Sequence, residues 1–136
     1  MADRAAQVLI IEDERPIAVL LATIVRQMGH EAVTAADGAA GLAEAQKLRP
    51  DLILLDMLLP IMSGWEFLRV VTADPDLKSV PVILVSTVER VDQELQDKYP
   101  LIAKPFSPEA VRREVEAALG KAALGKGALG GAGAGV

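Results

Sequence analysis

Four sets of polar residues stand directly behind short apolar runs. Glu12-Asp13-Glu14 follows Val8 to Ile11, Asp56 follows Leu52 to Leu55, Ser86 follows Val82 to Val85, and Lys104 follows Leu101 to Ala103. A carboxylate set against apolar neighbours is costly to bury unless it is paired or neutralised. Carboxylates that converge repel one another, and a hard divalent cation relieves that repulsion. Mg2+ suits the task because it prefers oxygen ligands, keeps several waters and is often completed by a phosphate oxygen. An ammonium and a hydroxyl facing the same point would hold the other oxygens of a phosphoryl group. In such a set Asp56 is the nucleophile, since a carboxylate can accept a phosphoryl group as an aspartyl phosphate. Lys104 then supplies positive charge and Ser86 a hydrogen bond, while Glu12, Asp13 and Asp56 face the metal.

These residues meet only if the runs before them are strands of one sheet. The runs are continuously apolar rather than alternating, which fits strands of a parallel sheet covered on both faces. A weaker run, Ala32 to Ala35, completes a set of five. Between the runs the period becomes helical. Ile17, Leu20, Leu21, Ile24, Val25 and Met28 line one face, with Pro16 suited to a first turn and Gly29 to the position past the end. Asp37 is a candidate N-cap for a helix over 38–48 that Pro50 stops. Ser63 and Glu66 read as a capping box for a helix reaching about Val71. A short polar helix is expected from about Glu89 to Lys98. Ser107-Pro108 opens a last helix with Val111, Val115 and Leu119 on its apolar side, ending before Gly120. Five alternations of strand and helix imply a doubly wound α/β fold with right-handed crossovers. In that architecture the functional crevice lies outside the carboxyl ends of the strands, where all four sets of polar residues fall.

Composition narrows the alternatives. The 136 residues suffice for one domain, and 51% hydrophobic with 24% charged residues is ordinary for a globular chain. A net charge of −5 without a basic tract argues against nucleic acid as a partner. The absence of cysteine excludes disulfides and cysteine-ligated zinc, and the single histidine, His30, excludes a multi-histidine metal site. No apolar stretch has the length of a membrane span, and the amino terminus lacks the pattern of a secretory signal, so a cytoplasmic location is expected. From Gly120 onward glycine and alanine dominate and "ALG" recurs at residues 118, 123 and 128. That composition predicts a flexible tail over 120–136 behind a domain at 1–119.

The segments "VLIIEDE", "DLILLDMLLPIMSG", "PVILVST" and "AKPFSPE", in this order at the ends of alternate strands, resemble the receiver domains of two-component response regulators. The resemblance covers roughly Val8 to Leu119. It implies that Asp56 is the phosphoacceptor, Glu12 and Asp13 the acidic pair, Ser86 the conformational hydroxyl and Lys104 the phosphoryl-contacting lysine. It further implies that the Leu58 backbone carbonyl completes a Mg2+ site, that the Lys104-Pro105 bond is cis, and that the strand order is 2-1-3-4-5. The donor would be a histidine kinase or a histidine phosphotransfer protein. A stand-alone receiver in a phosphorelay, signalling by contact with a further protein, is the expected role, not a turnover enzyme.

Several positions depart from the family pattern. Glu12 stands where an aspartate is usual. Leu101 occupies the position of the switch aromatic, with Tyr99 two residues earlier. The interval from Ser86 to Lys104 is about one helical turn short. Leu58 and Val88, at the positions that govern phosphoryl lifetime, are apolar and cannot orient an attacking water, so slow autodephosphorylation is expected. A pseudo-receiver that works without phosphorylation is the alternative these departures favour. A haloacid-dehalogenase-like phosphatase would need an acidic residue where Leu58 stands.

Overall fold

The computed structural model describes the backbone of residues 5–130 and the side chains of residues 5–120. Five strands, β1 (Gln7–Ile11), β2 (Glu31–Ala35), β3 (Leu52–Asp56), β4 (Val82–Ser86) and β5 (Leu101–Ala103), form one sheet. All neighbours are parallel and the order is β2-β1-β3-β4-β5, as the family resemblance implied. The helices are α1 (Arg15–Gln27), α2 (Gly38–Leu48), α3 (Gly64–Ala73), α4 (Gln93–Lys98) and α5 (Pro108–Gly130).

The continuous apolar runs are explained by two cores, one on each face of the sheet. Leu9, Ile11, Ile53, Leu55 and Leu84 pack with Ala45 of α2 and Phe67, Leu68 and Val71 of α3. Val8, Ile10, Leu52, Leu54, Ile83 and Val85 point the other way, onto Leu21 and Val25 of α1 and Val111 and Val115 of α5. Successive residues of a strand face opposite sides, so a strand covered on both sides must be apolar at every position.

Local signals set most helix boundaries. Asp37 accepts a hydrogen bond from the Ala40 N–H at 2.7 Å. Ser63 and Glu66 form the reciprocal capping box. Gly29 has φ 93°, the left-handed conformation that closes α1 without a Cβ penalty. Gly64 has a different reason to be glycine. A Cβ there would lie 2.7 Å from Met57 Cα, so the bare backbone lets the start of α3 sit against the end of β3.

Two expectations are corrected. The segment after β4 is not one helix from Glu89: a 3-10 turn at Val88–Arg90 precedes α4, which starts at Gln93. Asp92 divides them, because its side chain accepts from the Leu95 N–H at 2.9 Å and caps a new helix. Likewise α5 does not end before Gly120 but continues through Gly130. A glycine stops a helix when the chain turns left-handed there; inside a helix it costs only about 1 kcal/mol against alanine, and the intervening Ala, Leu and Lys are strong helix formers. The expected tail is thus helical to Gly130, and 131–136 lie outside the described residues.

Candidate functional site

The parallel register carries the strand ends to one edge of the sheet. Ile11 pairs with Leu55, Asp56 with Val85, and Ser86 with Ala103. The residues just beyond, Glu12, Asp56, Ser86 and Lys104, therefore meet. Asp13, Glu14, Asp56, Leu58, Ser86, Thr87, Arg90 and Lys104 line a cleft of about 370 Å³. Glu12 lies beneath it, and one carboxylate oxygen from each of Glu12, Asp13 and Asp56 falls within 4.8 Å of the others. All six residues singled out from the sequence are at this place.

Lys104 is the electrostatic centre. Its Nζ is 3.0 Å from Glu12 Oε1, 3.4 Å from Asp56 Oδ2 and 3.6 Å from Glu14 Oε1. Burial pulls the ammonium toward its neutral form, but the Glu12 and Asp56 carboxylates more than offset this, and its pKa ends above the ordinary value. The same burial acts harder on Glu12, which is 2% exposed. Desolvation pushes its carboxyl up to about 7; the Lys104 contact lowers it, the neighbouring Asp56 raises it further, and the Glu14 backbone N–H lowers it. That N–H donates to Glu12 Oε2 at 3.2 Å. Oε1 is buried and faces the Lys104 ammonium as its ion-pair partner.

Asp56 is held by its own loop: the Leu58 N–H donates to Oδ1 at 3.1 Å. Ser86 Oγ is buried without a hydrogen-bond partner. Its carbonyl accepts from the Lys104 N–H at 2.9 Å, which ties the end of β4 to the lysine. The Lys104-Pro105 bond is cis. These ligands suit Mg2+: three carboxylates of hard oxygen, with an oxygen from each within 4.8 Å of the others, beside an open cleft.

Three members of the cleft had no assigned role in the sequence. Glu14 is reached by the lysine, and its adjacency to Glu12-Asp13 was the available signal. Thr87 and Arg90 arrive through the 3-10 turn, which apolar periodicity does not reveal. Leu101 and Tyr99, the two candidates near the switch position, are both half-buried against the α2–α3 core, so they do share a face.

The whole constellation is that of a known family. Residues 8–116 match the model of the response regulator receiver domain. The chain is 34% identical over 119 residues to the DNA-binding response regulator MtrA of Mycolicibacterium paratuberculosis, covering 83% of this chain and 51% of that one. It thus spans about half the length of the MtrA relatives. It is 28% identical over 118 residues to Protein PilH of Pseudomonas aeruginosa, covering 84% of this chain and 98% of that one. Among solved structures, the chemotaxis response regulator CheY4 of Vibrio cholerae superposes with a TM-score of 0.78 at 31% identity, over 85% of this chain and all of that one. A five-stranded 2-1-3-4-5 sheet, an acidic cluster at its carboxyl edge and a family match spanning both place this chain among the response regulator receiver domains.

Proposed function

We propose that Asp56 is the phosphoacceptor of this chain and that a histidine kinase or histidine phosphotransfer protein is the donor. Receiver domains as a family take phosphoryl groups from histidine kinases and act on downstream targets. The observation that carries the reading here is a buried carboxylate at the end of β3, 3.4 Å from a lysine and one strand from a serine hydroxyl with no partner of its own.

In the transfer, an Asp56 carboxylate oxygen attacks phosphorus and forms the new P–O bond. The P–N bond to the donor imidazole breaks, and the imidazole nitrogen leaves with the electron pair and takes up a proton. Lys104 holds a phosphoryl oxygen and offsets the added charge. Ser86 Oγ–H donates to another, and the end of β4 follows it. Glu12, Asp13, Asp56 and the Leu58 backbone carbonyl are the residues that would hold Mg2+. When bound, the ion supplies charge neutralisation of carboxylate and phosphoryl oxygens. Self-dephosphorylation requires attack of water on the acyl phosphate, and neither Leu58, which lines the cleft, nor Val88 on the turn after β4, both exposed and apolar, offers a group to orient one. Phosphorylation and its reversal are thus self-catalysed events on one residue rather than turnover of a substrate.

The signal leaves by protein contact in the cytoplasm, from a receiver unit at 1–119 that acts as a stand-alone member of a phosphorelay. Neither nucleic acid nor membrane is a partner on this reading; the net charge is −5, and no described helix is long and apolar enough to cross a membrane. The test is intact-mass spectrometry after incubation with Mg2+ and acetyl phosphate, on wild type and Asp56→Asn in parallel with a fast quench. One phosphoryl adduct on wild type alone is expected. No adduct, together with no response to beryllofluoride, would replace this reading with that of a pseudo-receiver.

A further inference from the structure

We propose that Arg90 is a second phosphoryl-binding cation in this cleft, an inference that rests on Asp56 as the acceptor. Arg90 ends the 3-10 turn that follows β4, and its side chain lines the same cleft as Asp56, Ser86 and Lys104. The backbone beneath it is a closed turn. The Arg90 N–H donates to the Thr87 carbonyl and the Val91 N–H to the Val88 carbonyl, both at 3.1 Å. Val91 is buried in the core, whereas Arg90 is exposed. The turn therefore has an anchor at its far end and an exposed arginine at the cleft. Among the described residues Arg90 makes no ion pair.

The charges at the mouth explain why a second cation is needed. Glu12, Asp13, Glu14 and Asp56 bring four carboxylates, and Lys104 is already shared among Glu12, Glu14 and Asp56. A phosphoryl group makes Asp56 a dianion, which Lys104 can serve only by loosening its other contacts. Arg90 can answer that added charge without breaking an existing ion pair. Its planar fork also matches two phosphoryl oxygens at once, which a point-charge ammonium does not. Contact between Arg90 and the phosphoryl group draws the Val88–Arg90 turn toward Asp56. The event at β3 is thereby passed to the neighbouring α4 without an aromatic ring at position 101.

The test uses the intact chain with Mg2+ and either beryllofluoride or acetyl phosphate. Arg90→Gln is expected to weaken beryllofluoride binding and to shorten the acyl phosphate lifetime by about tenfold, the scale of a partly screened charge-assisted contact. Arg90→Lys should restore part of the loss, and the wild-type Arg90 Nε–H resonance should shift when beryllofluoride is added. An Arg90→Gln variant with wild-type affinity and lifetime, and an Arg90 resonance that does not move, overturns the proposal and leaves Asp56 as the acceptor. A wild-type chain that gains no adduct overturns the acceptor reading and this proposal with it.

Discussion

At the carboxyl ends of β1, β3 and β4, the polar residues Glu12, Asp56 and Ser86 are at most 5% exposed, yet along α4 no residue is buried and β5 has only three residues. The first region holds its side chains on strands packed from both faces, where geometry is costly to change. In the second, β5 is held at the sheet edge by its pairing with β4 and the buried Ile102, whereas the α4 segment reaches the core only through the half-buried Leu95 and Tyr99. Local opening is easiest where few apolar groups are buried. A site that must keep its carboxylates in place is thus joined to an edge that can yield, and Ser86 and Lys104 stand on the boundary between them.

The largest expected effect compares the two regions by truncation. Phe67→Ala, in the core beneath the crevice, is expected to lower unfolding free energy by about 3–5 kcal/mol, whereas Leu95→Ala in α4 should cost about 1 kcal/mol. Urea denaturation of both variants checks this, and equal losses would erase the distinction between a rigid crevice and a yielding edge.

Next is the cost of the buried carboxylate. Because the Glu12 carboxyl is pushed from 4.5 to about 7 in the folded chain, the folded state keeps its proton to higher pH than the unfolded state does. The stability this represents is fully present below pH 4.5 and is lost as pH rises through about 7, an amount on the order of 3 kcal/mol. Glu12→Gln should flatten that part of a metal-free pH–stability profile. An unchanged slope in the variant would show that Glu12 is not the strained group. Mg2+ binding requires the ionised carboxylate, so its affinity should be weaker at pH 6 than at pH 8.

A smaller effect is expected at the mouth. Leu58→Asn places an amide beside Asp56 that can orient water, and should shorten the acyl phosphate lifetime several-fold, about 1 kcal/mol in barrier. A lifetime that is unchanged or longer would remove the apolar rim from the account. Smallest is Ile61, a β-branched residue at φ 70° that is 80% exposed. Ile61→Gly relieves a left-handed conformation that branched side chains disfavour, and a gain of about 1 kcal/mol or less is expected in thermal unfolding. A loss would mean that its side chain contributes packing.

The features that were legible in the sequence are those written in short stretches. Doubly buried strands must be apolar at every position, so their ends, and with them Glu12, Asp13, Asp56, Ser86 and Lys104, could be read as converging. Caps such as Asp37 and Ser63 carry their own hydrogen-bond logic. What escaped depends on balances between neighbours. Asp92 follows a 3-10 turn and caps a new helix, a break that the polar run from Glu89 to Lys98 does not mark. Gly120 continues a helix because the residues on both sides favour one. Arg90 reaches the cleft through that unforeseen turn, so no spacing from Ser86 marks it. The rise in the Glu12 pKa likewise comes from burial beside Asp56, which residue type alone does not disclose.

The most direct test of the central claim is to trap the modified residue. The chain is phosphorylated with Mg2+ and acetyl phosphate, reduced at once with borohydride, which converts an acyl phosphate of aspartate to homoserine, and mapped by peptide mass spectrometry. Homoserine at position 56 is the expected result. Homoserine at another carboxylate, such as position 13, or at none, would contradict it.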